Sequence, residues 1–288
     1  MKWLGIANGD VVKVIEPISD EQYNQYKHSF AIIEDFSRDI FLYKALEWNY
    51  NDLLEAIDNC LQVYNQHGIS YMSAQKMKAN VNRHMLNFLS MASTYIEHLK
   101  RITRKRYGAD SVELKNMQEF MSEQYDRCFS YRFICKLRNY ALHCELPIDT
   151  INFETDWVKK EETPMNSLQV CLIRDKLLNV SSAWGTPLKE EISNLPNGIE
   201  VKKLVNEKMA CIELIYLAAI NNEISKVVPN LRALDEIIVK FSKVEGMAMI
   251  FDMPNPTTLP KSLRGEVIPV DLYEVIKLCI ANSSVSTS

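Results

Sequence analysis

Arg138, Asn139 and His143 are the residues of this 288-residue chain whose types and spacing could carry out a reaction. They fall between Tyr131 and Pro147, a stretch that reads as the closing turns of a helix with Pro147 as the stop just beyond. Asn139 and His143 are four apart and share one helical face. Arg138 lies about 140° round the helix from His143, and its long side chain can swing to the same rim. A permanent cation, an amide and an imidazole together suit a phosphate. Reaction at a phosphate ester needs proton transfer to and from oxygen and a cation for the charge that develops there. Histidine titrates near neutrality and can take either proton role, while arginine offers phosphate two donors. Asn139 could orient His143 or a phosphate oxygen. One histidine cannot easily be base and acid at once.

The elements that must position these residues are long helices. The clearest is expected over 73–106, where Met77, Val81, Met85, Phe88, Ala92, Tyr95, Leu99 and Ile102 follow near-heptad steps. It ends in the basic run 100–106, with Gly108 as the cap. Five cations in seven residues exceed what a helix dipole needs, so Arg101, Arg104, Lys105 and Arg106 are candidate phosphate-backbone contacts, with Arg132 and Lys136 nearer the motif. A single second helix is expected over 111–143, capped by Asp110 or Ser111, with Met117, Phe120, Met121, Cys128, Ile134, Leu137 and Ala141 inward. The short connection makes the pair an antiparallel hairpin. At about 1.5 Å of rise per residue, the basic run would then sit some 40 Å from the motif.

The remainder of the chain positions nothing obvious. Val11–Ile15 is the best strand candidate near the N-terminus, with Pro17 ending it. A short helix over 21–28 and a longer one over 36–64, open to a break at Trp48-Asn49, precede the hairpin. After Pro147, strands are expected at 151–153 and 168–173 and a short helix at 175–184. A buried helix over 200–224 and another over 230–242, with Pro229 between them, come next. A strand at 247–251, a proline-rich stretch at 254–260 and a strand or helix over 270–281 complete the chain. No glycine-rich phosphate loop, G-x-S-x-G or H-E-x-x-H occurs. The expected organisation is mostly α, with a helical bundle and short N-terminal strand region over 1–150. An α+β extension over 151–288 would serve as scaffold or partner surface.

The net charge of −4 conceals an asymmetry. From Tyr71 to His143 there are thirteen Lys and Arg against six Asp and Glu, a balance of +7, which leaves −11 elsewhere. The seven cysteines are scattered and form no C-x-x-C, as expected of reduced, mostly buried thiols in the cytoplasm. No metal site is expected from Cys128 and Cys135. The apolar run Ala210–Ile220 is too short to span a bilayer and reads as a buried helix, and no signal peptide is apparent. His28 and His67 read as surface or cap residues, and His84 and His98 as weaker site candidates.

Arg138-Asn139-Tyr140-Ala141-Leu142-His143 fits the pattern Arg-x(4–6)-His with a polar residue after the arginine. Placed at the end of the second helix of a hairpin, it resembles the HEPN superfamily of helical bundles, over residues 71–147. Many members are metal-independent ribonucleases of toxin–antitoxin, phage-defence and RNA-guided systems. The His-x-Tyr of antitoxin-modified members is absent, since Cys144-Glu145 follows His143. The resemblance implies a homodimeric endoribonuclease without cofactor, in which two motifs meet in one cleft and supply two imidazoles. Products would carry a 2′,3′-cyclic phosphate and a 5′-hydroxyl, and an antitoxin or defence-system protein is an expected partner. A non-catalytic RNA-, nucleotide- or partner-binding module and a structural subunit of a defence complex are the alternative expectations.

Overall fold

The computed structural model describes residues 1–156, 165–180, 183–241, 245–254 and 264–285, and these are mostly α-helical with two small antiparallel sheets. Most of the proline-rich stretch and the last serines lie outside the described residues. Two compact units are formed, one by residues 1–41 and 219–288 and the other by 42–218. The boundaries fall inside two long helices, α1 (Asp20–His67) and α7 (Val201–Ile238), and not at the expected 150/151.

The unit that carries the motif is built on α2 (Tyr71–Tyr107), whose apolar seam is buried from Met77 to Leu99 as its spacing predicts. The seam ends on Thr103, not Ile102; the Thr103 hydroxyl is satisfied by the Leu99 carbonyl at 2.9 Å, so a polar residue closes the buried stripe. Ser70 and Ser73 form a capping box at its start, and Gly108 at φ 100° ends it.

Packed against α2, the expected single helix is two: α3 (Val112–Arg127) and α4 (Phe129–His143). Ser111 caps α3, its hydroxyl accepting from the Leu114 N–H at 3.2 Å. The break needs neither glycine nor proline. Cys128 is extended (φ −111°, ψ 112°), and the Arg132 guanidinium reaches back to the Tyr125 and Asp126 carbonyls that the end of α3 leaves open. The same guanidinium pairs with Glu191 at 2.7 Å.

Beyond α4 the chain stays with the bundle. Strands β3 (Thr150–Asp156), β4 (Met165–Ile173) and β5 (Gly198–Glu200) pair antiparallel in that order. Between β4 and β5 lie the short helices α5 (Arg174–Asn179) and α6 (Thr186–Ser193). Trp184, between those helices, stacks on Phe133 and Tyr140 of α4 at 5.3 and 5.6 Å and donates to the Leu177 carbonyl at 2.7 Å. This explains why the boundary is not at 150: the segment after the motif is part of the motif's own core.

In the other unit, β1 (Lys2–Asn8) and β2 (Val11–Ile18) join β6 (Met247–Asp252) and β7 (Gly265–Val267) in the order β2-β1-β6-β7. Strand β2 continues through Pro17, which an edge strand tolerates. Leu4 faces Glu16 and Gly5 faces Val14, so Ile15 is an extra residue in a bulge. A Cβ on Gly5 would stand 2.6 Å from the Lys13 carbonyl oxygen, so only glycine fits there. Helix α8 (Val270–Val285) closes the chain, and a 3₁₀ turn at Val239–Phe241 follows α7.

Helices α1 and α7 each replace two expected helices. In α1 nothing breaks at Trp48-Asn49; the Asn49 amide returns to the Ala45 carbonyl at 2.8 Å. In α7 Pro229 lies inside the helix, and the Asn230 side chain takes up the Lys226 carbonyl at 2.8 Å beside it. No helix among the described residues is long and apolar enough to cross a membrane.

Candidate active site

Helix α4 presents its motif because three separate restraints fix it within the 42–218 unit. Its first turn is tied to α7 by the Ser130 hydroxyl, which donates to Glu207 at 2.6 Å. Its middle is held against Trp184 by Phe133 and Tyr140. Its end is fixed through Asn82 of α2, which is 1% exposed. The Asn82 side chain donates to the Ile148 carbonyl at 3.1 Å and accepts from the Ile148 N–H at 2.9 Å. One buried amide thus satisfies both backbone groups of the residue that follows Pro147.

Arg138 and Asn139 line a cavity of about 530 Å³ enclosed by α2, α3, α4 and α7. Arg138 is half-buried, and its Nε is buried without a hydrogen-bond partner among the described residues. Asn139 is exposed at the rim. His143 is exposed on the last turn of α4 and is not a lining residue, five positions and about 7.5 Å of helical rise beyond Arg138. The motif is therefore split: its cation and amide face the cavity, and its imidazole stands outside.

The basic residues divide in the same way. Lys100 lines the cavity with Arg138, so the expected separation of about 40 Å fails at the start of the basic run. The leg expected as one helix over 111–143 is interrupted at Cys128, between α3 and α4. Arg101, Arg104 and Lys105 are exposed, and Arg106 and Lys136 half-buried. Arg132 is committed to the helix junction and to Glu191, so it is a structural residue and not a free phosphate contact. His84 is half-buried, with Nε2 at 2.7 Å from the Arg83 guanidinium, and burial followed by the Arg83 charge pulls its pKa down. His28 and His67 are exposed, and His98 is half-buried.

Lys208 of α7 is the cavity residue that the motif does not contain. It is 1% exposed, with Nζ 2.9 Å from the centroid of the Tyr131 ring and 3.4 Å from Cys135 Sγ. Burial pushes its ammonium down to about 8, against smaller opposing contributions from Cys135, Cys211 and Cys128. The Cys211 thiol, buried and hydrogen-bonded with Cys128, is pushed up to about 12. The sequence held one signal for Lys208: with Leu204, Cys211 and Ile215 it forms an i, i+4, i+7, i+11 stripe, and those three are buried. A lysine in an apolar stripe either snorkels out or has a reason to stay.

No disulfide forms among the described residues; Cys60, Cys171 and Cys211 are buried, Cys128 and Cys279 half-buried, and Cys135 and Cys144 exposed. Comparison with protein-family models, with curated proteins and with solved structures finds no match.

Proposed function

We propose that the chain is a HEPN-like, metal-independent endoribonuclease of the toxin or anti-phage type, acting as a homodimer on RNA. The observation that carries this reading is the placement of Arg138. It is a cation on the last turns of a helix, beside Asn139, lining a cavity with a buried Nε donor that has no partner among the described residues. Such a guanidinium is available to a phosphate and stabilises a phosphorane. His143 is exposed to solvent, as a proton-transfer group shared with a second subunit requires. In the dimer one His143 takes the 2′-hydroxyl proton and the partner's equivalent protonates the leaving 5′-oxygen.

The test is cleavage of RNA in EDTA by the wild type, Arg138→Ala and His143→Ala, with the oligomeric mass measured alongside. The wild type leaves 2′,3′-cyclic phosphate ends and runs as a dimer, and each variant loses at least a hundredfold in rate. Equal activity in all three proteins, or none in the wild type, rules the reading out. A second reading has an observation of its own, since His143 is absent from the cavity lining. In that reading the cavity holds RNA, a nucleotide or a partner without cutting, and a monomer that binds but does not cleave is its signature.

A further inference from the structure

The cavity beside Arg138 holds more positive charge than it neutralises. Its lining contains Lys100, Arg138 and Lys208 against the single carboxylate of Glu97, a net of +2. Lys100 and Glu97 pair with one another at 3.4 Å. Among the described residues, Arg138 and Lys208 have no carboxylate within ion-pair distance. Lys208 rests on an aromatic face and a thiol, and Arg138 keeps a buried Nε donor unused. Buried cations are ordinarily paired, and an unpaired one costs folding free energy. The space is also too large for an ion alone: about 530 Å³ is within the range of small-molecule sites, and Met121, Ile134 and Tyr125 supply an apolar wall.

We propose that this cavity is a binding site for a phosphomonoester dianion carried on an organic body, with Lys208 and Arg138 as its two cationic ligands. The charge argues for this class. A phosphomonoester carries close to two negative charges at neutral pH, which matches the two unneutralised cations, whereas a phosphodiester or a sulfonate carries one. The guanidinium can engage two phosphate oxygens, and the ammonium adds a point charge from α7, where it lies against Tyr131 and Cys135 of the helix that carries Arg138. A dianion so held would be either a free small phosphomonoester or the phosphorylated end of an RNA, and both present the same group. Lys208 lies outside the Arg-x4-His motif, so the site does not depend on whether this chain cleaves RNA.

The test is calorimetric titration of the full chain with phenyl phosphate and with benzenesulfonate, which share a ring and differ in charge. The wild type binds phenyl phosphate saturably and at least tenfold more tightly than benzenesulfonate. Lys208→Met and Lys208→Gln weaken phenyl phosphate at least tenfold, whereas Lys202→Gln, a lysine paired with Asp58 and not lining the cavity, leaves it unchanged. Absence of saturable binding in the wild type, equal affinity for the two probes, or unchanged binding in both Lys208 variants overturns the proposal. Hexaribonucleotides identify the source. Displacement of phenyl phosphate by the 5′- or 3′-phosphorylated oligomer supports an RNA end, and displacement by neither supports a free phosphomonoester. Equal displacement by the oligomer with hydroxyls at both ends means the site reads the backbone, which also overturns it. RNA cleavage enters none of these readouts, so a nuclease-negative protein that binds phenyl phosphate separates the two proposals.

Discussion

Replacing Lys208 by methionine should make the protein more stable at neutral pH, and the gain should vanish as the pH rises. The ammonium is held down to about 8 in the folded chain by burial, against about 10.5 for a free lysine. The folded state therefore binds fewer protons than the unfolded state between these values, and wild-type stability rises with pH across that window. Below about 8 the charged lysine costs the fold the full difference. With about 1.36 kcal/mol per unit, the penalty is about 3 kcal/mol at pH 7, about 2 at pH 9 and about 1 at pH 10. Methionine has similar reach and no charge to desolvate, so repacking adds only a pH-independent offset. The side chains packed around the ammonium, Tyr131, Cys135, Cys128 and Cys211, are the same in both proteins, so the difference cancels most of their contribution. Urea unfolding of both proteins at pH 7, 9 and 10 measures it. The stability of Lys208→Met minus that of the wild type should fall by about 2 to 3 kcal/mol from pH 7 to pH 10. A difference that is flat within about 0.5 kcal/mol, or that rises with pH, would refute the buried, poorly compensated cation on which the cavity argument draws.

Two further perturbations probe how α4 is held. Asn82→Ala strips the Ile148 N–H and carbonyl of their partner in a buried setting, and should cost about 2 to 4 kcal/mol in urea unfolding; a loss under about 0.5 would mean that water replaces the amide. Trp184→Phe keeps a ring against Phe133 and Tyr140 but loses the donor to the Leu177 carbonyl, so it should cost about 1 to 3 kcal/mol by the same measurement. Trp184→Ala also loses the stacked volume and should cost about 3 to 5, and equal costs for the two variants would remove the stack from the account.

Where the chain wrote its structure locally, the sequence could be read. The seam of α2, its Gly108 cap and the Ser111 cap of α3 are each set by side chains within one or two turns. The placement of Arg138 and Asn139 on the closing turns of a helix belongs with these. What could not be read depends on partners distant in sequence. The break at Cys128 is completed by Arg132 pairing with Glu191, 59 residues on. Pro229 looked like a boundary because proline removes a helical donor, yet α7 continues through it. The expected domain boundary at 150 failed because Trp184 and Ile148 serve the core of α4, which no change in local character reveals. Lys208 escaped for the same reason, since its place in the stripe is visible but its isolation from carboxylates is a fact of three dimensions.

The four-stranded sheet has a consequence for self-association. An exposed strand edge is a template on which another chain can add, and such growth has no natural end. Here β2, the edge strand on one side, has Pro17 without an N–H to offer, and the bulge at Ile15 breaks the spacing of the donors that remain. On the other side β7 is three residues long, too short to seed a register. The apolar Val11 and Ile15 that face solvent on that edge are thus kept from templating growth through this sheet. Any specific pairing of two copies is left to surfaces other than this sheet's edges.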